Sequence, residues 1–223
     1  MSGFANGQAD GKWSPGWGLA VGLCLAVAVV FSLCFLRLCV LHPFKVPTGG
    51  MRPTIRGQEA LEDGTRTVGD HIFVSPLIYM MEEPRRGDIV VFRTSGIDFF
   101  EGRADTYFVQ RIAAIPGDVV SIRPPALAIN GAVLREPEFF DWMARQTNGY
   151  EGFVLPPPGR PGDPPLMMTT NGTMKLEADE YLVLGDNSKN SLDGRYFGPI
   201  RRKAIVGKVT WIYFPLDRMG PVK

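Results

Sequence analysis

The sequence is short of histidine, cysteine and net charge. Its two histidines, His42 and His71, and its three cysteines, Cys24, Cys34 and Cys39, show no metal-ligand spacing. No metal and no cofactor are expected. Beyond residue 39 there is no cysteine at all, so the chain after that point cannot form a disulfide within itself. Lys and Arg total 24 against 23 for Asp and Glu, a formal net charge of +1. That lacks the basic excess of a nucleic-acid binder. Charged residues make up 21% and hydrophobic residues 45% of the 223, which excludes disorder by composition. After residue 43 no long amphipathic helical period appears, which argues against a helical bundle.

What is present is unevenly spread, although the mean hydropathy is +0.00. Residues 16–36 read GWGLAVGLCLAVAVVFSLCFL without a charge, about the length of helix that crosses a hydrocarbon core. A cleaved signal peptide would need a basic start, a shorter apolar core and a small-x-small exit. Here only Lys12 precedes the run, and the exit is Phe35-Leu36-Arg37. A buried core helix is seldom apolar all round at this length. The expectation is one membrane span at 16–41, preceded by a tail at 1–15. Arg37, Lys45, Arg52 and Arg56 follow the span against Lys12 before it, and positive-inside counting then favours a cytoplasmic C-terminal segment.

From 42 to 223 short apolar runs are punctuated by Gly, Pro, Asn and Asp, which predicts a mainly β domain. Strands are expected near His71–Ser75, Asp88–Arg93, Tyr107–Ala114, Asp118–Ile122, Ala126–Ile129, Ala132–Leu134, Tyr181–Leu184 and Ala204–Phe214. Asn130-Gly131 predicts a type I′ hairpin, and Pro116-Gly117-Asp118 another turn. Residues 56–69 read as a polar insertion. Residues 135–172, with the tract PPPGRPGDPPL, read as a proline-rich insertion of loose structure. The tract itself is a stiff loop or, alternatively, a ligand for a proline-recognition module.

Four segments stand in a distinctive order: FKVPTGGMRPT (44–54), RRGDIVVFR (85–93), YFVQRIAAIPGD (107–118) and LGDNSKNSLDGRYFGPI (184–200). Together they resemble the boxes of the type I signal peptidases, from the anchor to Gly207. The resemblance implies an antiparallel β domain behind one N-terminal transmembrane helix. It also implies a serine endopeptidase that removes signal peptides from exported proteins with a Ser-Lys pair. The domain after the anchor would lie on the extracytoplasmic side, opposite to the charge count, and long domains do translocate regardless of flanking charge.

Two positions depart from the family pattern. The nucleophilic serine stands immediately before the methionine of the first box, where this chain has Gly50 before Met51. The lysine base stands immediately before the arginine of the third box, where this chain has Gln110 before Arg111. The histidine of the eukaryotic branch is absent there too. Serine needs a base to take its proton, and lysine can serve when burial makes the amine neutral. A glutamine amide accepts hydrogen bonds but takes up no proton near neutral pH, and glycine offers no attacking atom. An oxyanion hole from the Gly50 N–H and the Thr48 hydroxyl could survive. Loss of a member of a hydrolase triad leaves roughly a 10³–10⁴-fold residual over water, against the about 10⁶-fold or more of typical enzymes. Proteolysis is therefore expected to be lost.

The resemblance assigns other positions as well. Ser191 matches a serine that bonds the family lysine, and here it could bond Gln110 instead. Asp193 and Arg195 match a supporting ion pair, and Gly185, Asp186 and Asn187 a turn. Phe44, Val46, Pro47, Met51 and Val109 match the shallow substrate pockets, with core packing as the alternative for the apolar positions. Asp88 and Arg93 are read as fold-maintaining, Thr54 as closing the turn after Pro53, and Gly194 as a mild departure from a serine. Lys175, Lys189 and Lys203 are read as solvated. The expected role is recognition of signal peptides or preproteins at a membrane, with an active paralogue or secretion machinery as a further partner. The alternative is an active peptidase with a non-standard nucleophile or base.

Overall fold

The structure is a computed structural model that describes residues 15–35, 42–60, 64–155 and 172–222. It divides into two compact units, Met1–Leu38 and Cys39–Lys223. In the first, α1 (Pro15–Phe35) is a helix of 21 residues without a charged side chain. Pro15 opens it, where a missing N–H costs no intrahelical bond. Its side chains from 17 to 33 are exposed along their whole length. Among the described residues no helix is long and apolar enough to cross a membrane. The anchor therefore rests on the sequence, and the tail before residue 15 lies outside the described residues.

The second unit is antiparallel β. Its strands are β1 (His42–Lys45), β2 (His71–Ser75), β3 (Ile89–Arg93), β4 (Tyr107–Ala114), β5 (Val119–Arg123) and β6 (Ala126–Ile129). They continue with β7 (Ala132–Val133), β8 (Met174–Lys175), β9 (Glu180–Leu184), β10 (Ile200–Arg201), β11 (Ile205–Phe214) and β12 (Gly220–Pro221). Short helices α2 (Ile78–Met81), α3 (Glu138–Arg145) and α4 (Gly194–Phe197) interrupt them. The larger sheet runs β1-β2-β11-β3-β4-β9-β10 with β12 beside β11, and the smaller runs β7-β6-β5-β8. Each strand expected from the sequence is present within one residue of its predicted bounds.

Strand β3 shows why the larger sheet holds. Val90 and Phe92 pack into one apolar cluster with Ile112 and Val183, and Ile89 and Val91 into another with Ile72, Val74 and Val209. Both faces are covered, so the strand reads as the continuous run IVVF rather than alternating. The hairpin at 130–131 also follows its chemistry, with Asn130 at φ 52° and Gly131 at φ 85°.

The insertion departs from the expectation of loose structure. Its described part contains α3, whose Phe139, Phe140 and Met143 are buried against Leu127, Leu182 and Leu184. The helix is too short for its period to stand out between turn residues. The proline tract from 156 to 166 lies outside the described residues.

Candidate functional site

A groove of about 710 Å³ opens between the segment that follows β1 and the first half of β4. Of the residues singled out by sequence, Phe44, Val46, Pro47, Thr48, Gly50, Met51, Val109, Gln110 and Ser191 all line it. Asp193 and Arg195 do not; they lie behind it in the loop that carries Ser191.

The loop bearing Gly50 is fixed from several sides. Val46 and Met51 are buried in the sheet's apolar cluster and anchor its two ends. The Arg52 N–H donates to the Gly49 carbonyl at 3.2 Å, and that of Ile55 to the Met51 carbonyl at 2.9 Å. Asn187 holds the loop from the far side, through its N–H to the Gly50 carbonyl (2.9 Å) and its Nδ2 to the Gly49 carbonyl (3.1 Å). Gly57 passes beneath: a Cβ there would stand 2.0 Å from the Thr48 carbonyl carbon. Gly50 itself has room for a Cβ at ordinary contact distance. A Cβ on it would meet nothing nearer than the Ser191 Oγ at 3.6 Å.

Gln110 lies on β4 opposite Val90 of β3 and is only 3% exposed. Its Nε2 donates to the Leu192 carbonyl at 2.6 Å. Its Oε1 is buried and makes no hydrogen bond among the described residues. The bond to Ser191 anticipated from sequence is therefore replaced by one to the next residue's carbonyl. Ser191 is held elsewhere, with its hydroxyl over Gly185, where a Cβ would come within 2.0 Å of Oγ.

A buried ion pair joins the elements that carry Gly50 and Gln110. Arg111, the next residue on β4, makes a two-pronged contact with Asp186 through Nε (2.9 Å) and Nη2 (2.8 Å). Its Nη1 donates to the Gly87 carbonyl at 2.8 Å, and its guanidinium lies 4.0 Å from the Phe139 ring centroid. The Thr54 hydroxyl donates to Asp186 Oδ2, the oxygen that also accepts from Arg111 Nη2, and bonds the Tyr150 hydroxyl at 2.8 Å. Thr54 thus clamps its loop to the turn at 185–187 rather than merely closing the bend after Pro53. Burial pushes the Tyr150 phenol up, partly offset by its bond to Thr54. Sequence reasoning missed this cluster. Its signal was a lone arginine inside the apolar strand YFVQRIAA, since a buried charge requires a partner.

A second buried pair holds the Ser191 loop. Arg195 meets Asp193 through Nε (2.7 Å) and Nη2 (2.8 Å). It also donates to Ser188 Oγ (2.6 Å), the Ser188 carbonyl (2.7 Å) and the Val154 carbonyl (2.7 Å). Asp193 accepts from the Gly185 N–H at 2.9 Å and caps α4 through the Arg195 N–H. Both side chains are essentially sealed from solvent. Gly194 between them leaves no room for the serine of the family pattern: a Cβ would meet Leu182 Cδ1 at 2.6 Å and the Val183 carbonyl oxygen at 2.8 Å. Glycine at 194 belongs with this packing.

Among the remaining candidates, Asp88 accepts from the Tyr79 hydroxyl and the Arg85 N–H, both at 2.9 Å, and pairs with Lys208 at 2.6 Å. Arg93 pairs with Asp105 near the surface. Lys175, Lys189 and Lys203 are exposed, Lys189 beside Glu151 at 2.9 Å. Among the described residues no His, Cys, Asp and Glu cluster could hold a metal ion.

Chemically the groove offers backbone, small apolar surfaces, the hydroxyls of Thr48, Thr106, Tyr107 and Ser191, and the Asp105 carboxylate, which pairs with Arg93. Lys45 is the lysine of its lining and is solvent-exposed, not in the desolvated setting in which lysine acts as a base.

Comparison with known proteins matches residues 17–214 to the family of signal peptidases, peptidase S26. A protein described as probable signal peptidase I-2 of Synechocystis sp. is 26% identical over 202 residues, covering 91% of this chain and 76% of that one. Signal peptidase I T of Bacillus subtilis is 29% identical over 210 residues, with 93% and 89% covered. A crystal structure of a signal peptidase I from Enterococcus faecalis aligns with TM-score 0.37 at 25% identity, over 58% of this chain and 98% of that one.

Proposed function

The chain belongs to the signal peptidase family, peptidase S26, and from that premise we propose that it binds signal-peptide-bearing preproteins without cleaving them. One observation carries this reading. The two positions where the family pattern has serine and lysine are Gly50 and Gln110, and both line the groove. Neither can attack a carbonyl, and neither can take a proton near neutral pH.

The rest of the groove is of a kind suited to an extended peptide. Small apolar surfaces from Phe44, Val46, Pro47 and Val109 would accept small side chains. Backbone groups beside them would pair with the peptide main chain, as in strand addition. The pseudoenzyme would work at a membrane, held by the apolar segment 16–41, with the β domain on the extracytoplasmic side. An active paralogue or the secretion machinery would then be the partner that uses the captured preprotein.

The alternative, an active peptidase with a relocated pair, has among the described lining residues the hydroxyls of Thr48, Thr106, Tyr107 and Ser191, with no histidine beside them. The test uses the full-length protein in detergent and a fluorescent synthetic signal peptide with a small-x-small exit. Saturable binding with the peptide recovered intact by mass spectrometry is expected. Recovery of two fragments would overturn the non-catalytic reading, and absence of binding would overturn the recognition it assumes.

A further inference from the structure

Gln110 carries an acceptor left unused among the described residues. Its Nε2–H···O=C bond to Leu192 at 2.6 Å fixes the amide's orientation, because the flipped amide would set two acceptor oxygens against each other. Oε1 is consequently the end held without a partner, buried, on a residue that lines the groove. Buried polar atoms are nearly always satisfied, and an exception in a binding groove points to what binds there. Gly50 lines the same groove. A Cβ on it would fit at ordinary contact distance from Ser191 Oγ and the Asn190 carbonyl, 3.6 and 3.8 Å away. An unpartnered accepting atom on a groove-lining residue is complementary to a donor on what the groove binds.

We propose that Gln110 Oε1 accepts a hydrogen bond from a donor on the bound peptide, either a main-chain N–H or a side-chain hydroxyl. The inference rests on the peptide-binding reading above and makes it specific. Glutamine at 110 is then a recognition residue that grips an intact chain, where a protonated lysine could only donate. A donor-bearing group is selected at this point, and a ligand lacking it leaves the acceptor unsatisfied, which costs affinity.

The test measures affinity of a synthetic signal peptide with a small-x-small exit for the full-length protein in detergent. In one set of analogues each amide N–H near the exit is replaced in turn by an ester oxygen. In the other, each Ser or Thr of the peptide becomes Ala. One analogue is expected to bind the unmodified protein about fivefold to tenfold more weakly, the equivalent of one hydrogen bond. Gln110→Met, similar in length and without an amide, is expected to bind the parent peptide more weakly by a similar factor and to be indifferent to that analogue. Which set contains the sensitive analogue identifies the donor. Parent binding that no analogue in either set weakens would overturn the proposal and leave peptide binding standing, whether or not Gln110→Met folds. Analogues that weaken both proteins equally would overturn it too. Absence of parent binding would overturn the proposal together with the reading beneath it.

Discussion

A Cβ placed on Gly50 would stand 3.6 Å from the Ser191 hydroxyl oxygen, an ordinary van der Waals separation. Gly185, on the other side of that hydroxyl, has no such room: a Cβ there would lie 2.0 Å from Ser191 Oγ and 2.6 Å from the Gly50 carbonyl oxygen. Two glycines flanking one serine are therefore under opposite constraints. Gly50→Ala is expected to leave stability within about 0.5 kcal/mol. Gly185→Ala is expected to cost about 1–3 kcal/mol through overpacking. Urea denaturation of the two variants checks this, and equal effects would contradict the packing described.

Arg195 is the most heavily bonded side chain behind the groove, and removing it would leave Asp193 charged, buried and unpaired. Arg195→Ala is expected to lose about 3–5 kcal/mol. Arg195→Lys keeps the charge but not the fork, so it should recover only part of the loss. Chemical denaturation midpoints decide the matter; an Arg195→Ala protein as stable as its parent would mean the pair does not organise the loop.

Stability should also fall in alkaline solution. Burial foremost, and then the neighbouring Asp88 carboxylate, push the Tyr79 phenol well above its ordinary value. The folded state therefore keeps a proton that the unfolded chain releases near pH 10. The contribution is complete below pH 10 and declines as pH rises beyond it, because the native state then binds more protons than the unfolded one. Burial raises Tyr150 and Tyr181 as well, so Tyr79→Phe should soften the decline without abolishing it. Denaturation midpoints from pH 8 to 11 for both proteins would show the difference, and superimposable pH profiles would contradict it.

The strands were legible because apolar runs such as IVVF and YFVQRIAA are long enough to be read against the turns between them. β8, β10 and β12 were not, since two-residue strands carry no period; β7, equally short, was legible through the Asn130-Gly131 turn before it. β1 was missed because Pro43 interrupts a four-residue edge strand. The groove lining was legible from its motifs, whereas the clamp behind it was not. Thr54 meets Asp186 across 132 residues, and Ser188 meets Val154 across 34. Polar side chains declare such partners only when the chain has folded. The expected Gln110–Ser191 bond failed for a related reason: residue type identified a possible acceptor, but strand register delivered Gln110 to the Leu192 carbonyl.

The central claim is that this groove lacks only its reacting atoms. Its most direct test incubates the purified full-length protein, Gly50→Ser, Gln110→Lys and the double variant with a preprotein and follows release of the mature chain. Gly50 has room for an added Cβ, and the Leu192 carbonyl already accepts a donor from residue 110. Cleavage by the double variant alone is the predicted result. Cleavage by the unmodified protein would contradict the account.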